Sequence, residues 1–87
     1  MSRTLKVRYF AWVRERIGKT DEDVDVPDSV VTVADLVTFL TARGEEYAYA
    51  FENPKVIRAA IDRKHVKPQT ALGQATEIAF FPPMTGG

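Results

Sequence analysis

One stretch of the chain repeats with the period of a helix, and the stretches around it repeat with the period of a strand. In "TVADLVTFLTARG", Val33, Leu36, Val37 and Leu40 recur at i, i+3, i+4 and i+7 and form one apolar stripe. Thr32 is placed to cap this helix, and Asp35, three residues on, resembles the acidic partner of a capping box. Gly44 is expected to stop the helix in the left-handed conformation. A single striped helix cannot bury its own apolar face, so a sheet must receive it.

The flanking segments supply that sheet. "TLKVRYFAW" alternates, with Leu5, Val7 and Tyr9 on one face and Lys6, Arg8 and Phe10 on the other. "VRERIG" reads as a short helical turn or loop closed by Gly18. In "DEDVDVP", Val24 and Val26 point inward, Asp23 and Asp25 outward, and Pro27 ends the strand. "EEYAYAFE" reads as a second short helix with Tyr47 and Phe51 at i, i+4, and Asn53-Pro54 as a turn. "KVIRAAID" is a third strand, "HVKP" a short edge piece, and "TEIAFF" the last strand, cut off by Pro82. The order β-β-α-β-(β)-β predicts an α+β fold: a mixed four- to five-stranded sheet with one main helix across one face. The ubiquitin-like β-grasp has this order, with its first and last strands adjacent in the middle. Other small α+β sheets share it.

Eighty-seven residues make one domain, assigned to residues 1–81, with an extended tail at 82–87. The apolar share of 45% suits a globular chain. There is no cysteine, hence no disulfide framework and no thiolate metal site. No apolar run approaches the ~20 residues of a membrane span, and the N-terminus lacks a signal-peptide core, so a cytoplasmic location is expected. The net charge is zero but segregated: residues 1–18 carry five bases against one acid, 19–52 two against nine, 53–87 five against two. Nucleic-acid binding calls for an overall basic excess. Opposed patches suit a protein partner, or simply solvate the surface.

Catalytic side chains are hard to find. The only histidine, His65, sits among bases, and Ser29 has no base at hand. The acids Asp21, Glu22, Asp23 and Asp25 lack the spacing of a calcium loop, and no metal is expected. No glycine loop cradles phosphate. Two aromatics stand out instead. Phe10 points away from the Leu5/Val7/Tyr9 core. Phe80 and Phe81 are adjacent, so one of them joins Phe10 outside if the first and last strands are neighbours. The result is an exposed aromatic patch rimmed by Lys6, Arg8 and Arg58, as expected of a partner interface.

Beyond it the chain reads "PPMTGG". Pro82 and Pro83 end strand pairing and favour a stiff, extended path. Pro82 to Gly87 reach roughly 18–21 Å, far enough to enter another protein. Met84, Thr85 and Gly86 narrow toward Gly87, and two bare glycines can thread a tight channel. The group delivered is the α-carboxylate of Gly87. It is a poor electrophile until activated, for instance as an acyl adenylate, after which a sulfur nucleophile gives a thiocarboxylate or thioester and an amine gives an amide.

"EIAFFPPMTGG" closely resembles the C-terminus of the molybdopterin synthase small subunits (MoaD-like sulfur carriers), which end in Phe-Phe-Pro-Pro, a small apolar residue, Ser or Thr, and Gly-Gly. "VRYFAWVRERIG" is similar to the family's first strand and Val-Arg-Glu turn, "TVADLVTFL" to its helix, and "AAID" to its Ala-Val-Asn strand end. "LGQATEIAFF" departs from the family's Asp-Gly-Asp turn by lacking both acids. The resemblance implies that Gly87 is adenylated by an ATP-dependent activating adenylyltransferase and converted to a thiocarboxylate. Its tail would then insert into a large catalytic subunit. There it would donate sulfur to cyclic pyranopterin monophosphate, forming the dithiolene of the molybdenum cofactor. It also implies a heterotetramer of two small and two large subunits, and no bound cofactor beyond the covalent adenylate and thiocarboxylate. The small subunit donates sulfur without catalytic side chains of its own, and neither nucleic acid nor membrane is a partner. The family's contact positions correspond to Phe10, His65 and Phe81, with His65 standing where the family often has an apolar residue. Arg14 corresponds to a position facing the activating enzyme. Alternative expectations are a sulfur carrier for thiamine or cysteine synthesis, a ubiquitin-like protein modifier joined to lysines, and an interaction domain with an inert end.

Overall fold

The computed structural model describes residues 3–83. Its elements are β1 (Arg3–Tyr9), α1 (Ala11–Ile17), β2 (Asp21–Val26), α2 (Val33–Thr41), α3 (Glu45–Ala50), a 3₁₀ turn (Pro54–Val56), β3 (Arg58–Ile61), β4 (Lys64–Val66) and β5 (Glu77–Phe81). The strands form one sheet in the order β2-β1-β5-β3-β4. β1 and β5 run parallel in its centre, and the other neighbours pair antiparallel. This is the β-grasp arrangement, and the sheet has five strands.

Alternation sets the faces. Leu5, Val7, Tyr9, Val24, Val26, Ile78 and Phe80 are buried in a single core with Leu36 and Leu40 of α2. Leu5, Val7, Leu36, Leu40, Ile78 and Phe80 are wholly inaccessible. Each such side chain stabilises the fold by about 1.5–3 kcal/mol relative to exposure. Phe51, at the end of α3, sets its ring edge-on against Phe80 at 5.3 Å. α2 begins with the expected capping box: Asp35 N–H donates to Thr32 Oγ1 at 3.1 Å, and Thr32 N–H to Asp35 Oδ2 at 3.0 Å.

Three local readings change. Gly44 does not end α2 in the left-handed region. Its φ of 169° is extended backbone, and it caps the start of α3, while Ala42 closes α2 in the right-handed helical region. The short helix supplies its own reason for the break, because Glu45 and Glu46 lie in its first turn, where the helix dipole favours acids. The "VRERIG" connection is a full helix of seven residues, closed by Gly18 at φ 85°. The third strand is shorter than the β-rich run suggests, because Pro54 winds Lys55 and Val56 into the 3₁₀ turn.

Candidate functional site

The face of the sheet opposite α2 is read from the strand register. One row crosses it as Asp21, Arg8, Ala79, Ala60 and His65. The next row toward the chain's end pairs Phe81 with Arg58, and Phe10 follows Tyr9, the partner of Phe80. Phe80 therefore fills the core, wholly buried, and Phe81 is the ring left outside. Phe10 is extended (φ −129°, ψ 153°) and 39% exposed, and its N–H donates to Phe80 O at 3.1 Å. That bond continues the parallel ladder one residue past β1 and holds Phe10 beside the end of β5.

His65 is exposed on β4, and its ring lies 5.1 Å from that of Phe81. Between their strands lies Ala60, whose methyl group leaves the two rings free to meet. The Arg8 guanidinium sits 5.5 Å from the centre of the Phe10 ring and 3.8 Å from the Glu77 carboxylate. Glu77 thus adds an acid to the rim of Lys6, Arg8 and Arg58. Arg58 is exposed and donates to Lys55 O at 3.1 Å.

The structure brings Phe10, His65 and Phe81 together on one face. Arg14 stands apart from it, exposed on α1, its N–H 3.4 Å from Phe10 O one turn back. Pro82 and Pro83 are half-buried at the end of β5, and their lack of donors closes the central strand there. The tail thus leaves from the middle of the sheet, beside the aromatic patch. Met84, Thr85, Gly86 and Gly87 lie outside the described residues.

A model of the ThiS family matches residues 7–87. The chain belongs to the ThiS family. Among curated ThiS-like relatives, the molybdopterin synthase sulfur carrier subunit of Escherichia coli is 38% identical over 85 residues, covering 95% of this chain and 99% of that protein. The sulfur carrier subunit of Haemophilus influenzae is 35% identical over 83 residues, with the same coverage. Among solved structures, SAMP1 from Haloferax volcanii superposes with a TM-score of 0.71 at 24% identity, covering 98% of this chain and all of that one. That likeness speaks for the shared β-grasp fold.

Two arrangements on this ThiS-family domain were not foreseen. Glu22 faces inward in register with Val24 and Val26, and both Tyr47 Oη and Tyr9 Oη donate to its Oε2, at 2.6 and 2.8 Å. Its Oε1 lies 3.2 Å from Lys19 Nζ and 3.5 Å from Arg43. Burial works to raise the Glu22 pKa, but the two tyrosine hydrogen bonds, Lys19 and the Arg43 charge outweigh it and hold the carboxyl below its ordinary value. Burial, then the hydrogen bond to Glu22, pushes Tyr9 well above the usual phenol range. The inward parity of Glu22 was available in "DEDVDV"; its partners, 13 and 25 residues away, were not. The second is Arg16, stacked 4.5 Å from the Trp12 ring and 4.1 Å from the Tyr49 ring, with Glu52 at 3.2 Å. It pins α1, and with it the chain after Phe10, to α3.

Proposed function

We propose that this chain is the sulfur carrier subunit of a molybdopterin synthase, and that its reactive group is the α-carboxylate of Gly87. One observation carries the reading: the central strand β5 ends at Phe81, beside an exposed aromatic face, and Pro82-Pro83 close its pairing just before the Met84-Thr85-Gly86-Gly87 sequence. The names of the curated relatives support the same pathway.

In this reading the carboxylate attacks the α-phosphorus of ATP on an activating adenylyltransferase and releases pyrophosphate. A sulfur nucleophile then displaces AMP and leaves a thiocarboxylate. Docking through Phe10, His65 and Phe81 delivers the tail to a large catalytic subunit, in a heterotetramer of two small and two large chains. There the sulfur passes to cyclic pyranopterin monophosphate, and hydrolysis returns the Gly87 carboxylate. The domain binds no cofactor; it supplies the docking face and the tail, while the partners hold ATP and the pterin. Arg14 faces the activating enzyme, and the cycle runs in the cytoplasm. Deleting Gly86 and Gly87 tests the reading: molybdopterin formation is lost in a reconstituted synthase while the folded domain persists. Undiminished formation would refute it.

A further inference from the structure

On the face of the sheet opposite α2, the cations fall into two groups. Those on β1 have acids beside them within the chain. Lys6 stands in register with Asp23 on one side and Glu77 on the other, and Arg8 with Asp21. The Arg8 guanidinium also reaches the Glu77 carboxylate at 3.8 Å. The Phe10 side of this face is therefore balanced in charge before any partner arrives.

The Phe81 side is not. His65 is exposed against the Phe81 ring, and its ring nitrogens make no hydrogen bond with a described residue. Arg58 is in register with Phe81 and lies two residues before Ala60, the partner of His65. It is thus the diagonal neighbour of His65 on the same face, within reach of a long side chain. Its guanidinium donates to Lys55 O and makes no ion pair with a described residue.

The other charged groups around His65 leave it without an acid. Lys67 follows β4, Arg63 precedes it in the turn, and Lys64 alternates to the opposite face; all three are exposed cations. From β5 the neighbours on this face are Glu77, Ala79 and Phe81, and Glu77 is held by Arg8. Asp62 is the only acid between residues 53 and 76. It sits with Arg63 in the β3–β4 turn, where both have positive φ, 47° and 74°. Its Oδ1 accepts from Thr76 Oγ1 at 3.3 Å and from Glu77 N–H at 3.2 Å. A partner that covers Phe81 also covers His65. An apolar surface there would strip water from the imidazole N–H and return nothing. A neutral carbonyl would satisfy that N–H but leave the Arg58 charge unanswered. A carboxylate serves both.

We propose that the surface docking on Phe81 carries a carboxylate opposite His65, and that the imidazolium–carboxylate pair, flanked by Arg58, selects the partner. This assignment rests on the reading above, in which Phe10, His65 and Phe81 dock on the large subunit. The aromatic rings supply contact area. His65 supplies the choice, because a surface without an acid at that point leaves its N–H and the Arg58 charge unpaired. A proton balance follows. A nearby negative charge favours the protonated form of an imidazole, so docking is coupled to uptake of a proton at a ring nitrogen. Affinity then rises as pH falls from 8 toward 6.

The test is calorimetric titration of the full chain with the large subunit of the same organism at pH 8 and pH 6, in buffers of different ionisation enthalpy. The parent chain is expected to bind about three- to tenfold more tightly at pH 6 and to take up as much as about one proton. His65→Gln keeps an N–H donor but cannot take up the proton, and is expected to remove both effects. Arg58→Gln is expected to weaken binding at both pH values and to lessen its salt dependence. Both positions are exposed, and circular dichroism reports that each variant is folded. A parent chain that binds equally at the two pH values, or a His65→Gln variant that keeps the full pH difference, would overturn the carboxylate while leaving the docking face in place. Undiminished binding by Phe81→Ala would overturn the docking face and the carboxylate together.

Discussion

The His65 ring lies 5.1 Å from the Phe81 ring, tilted by 56°, although β3 runs between their strands. The contact depends on Ala60, the residue paired with His65 on the intervening strand. It turns two separate side chains into one apolar step beside the tail.

If that step is the docking surface, Phe81→Ala weakens the complex with the large subunit by about 1–3 kcal/mol, the range of an aromatic anchor. Because Phe81 points out of the core, the thermal midpoint of the isolated domain changes little. His65→Ala lowers affinity by less, since it removes the support of the ring rather than the ring. Calorimetric titration against the large subunit gives both values. Equal binding by Phe81→Ala would move the interface elsewhere.

Glu22 governs the acid limit of stability. Its carboxyl is held below its ordinary pKa in the folded state, so its contribution is fully present above the unfolded value. The contribution fades as pH falls from the ordinary glutamate pKa, about 4.3, through the lower folded one. Glu22→Gln retains shape but loses the charge-assisted bonds from Tyr9 and Tyr47, costing about 1–2 kcal/mol at neutral pH. It also flattens the acid limb. Urea unfolding between neutral and acid pH measures both, and a parallel pair of curves would remove Glu22 from the account.

Backbone conformation predicts a pair of opposite effects. Gly18 has φ 85°, and a Cβ built there meets nothing within 4 Å, so Gly18→Ala pays conformational strain alone, about 1 kcal/mol. Arg63 has φ 74° at the second position of the β3–β4 turn, where glycine is favoured. Arg63→Gly therefore stabilises by a few tenths to about 1 kcal/mol. Thermal unfolding of the two variants should move in opposite directions.

The readable parts of the chain were those governed by local period. Alternation in "TLKVRYF" and "EIAFF" separates Tyr9 from Phe10 and Phe80 from Phe81, and so places the exposed rings. Thr32 and Asp35 mark the start of α2 by spacing alone. What escaped depends on residues distant in sequence or on turns without their usual residues. Gly44 carries a helix-stop signal but adopts an extended φ. Asp62-Arg63 makes a tight hairpin without the Asn-Gly pair that announces one. The Glu22 cluster joins β1, β2, the α1–β2 connection, the end of α2 and α3. Arg16 finds Tyr49 across 33 residues.

If the Gly87 carboxyl is the reactive group, one added residue after Gly87 abolishes sulfur transfer while leaving unfolding unchanged, because the added peptide bond consumes that carboxyl. The most direct measurement is the intact mass of the full chain after incubation with ATP, an activating adenylyltransferase and a sulfur donor. Replacement of one oxygen by sulfur is expected, localised to Gly87 by fragmentation and absent when ATP is omitted. An unchanged mass under conditions that convert the Escherichia coli relative, or a product joined through Gly87 to lysines of other proteins, would contradict it.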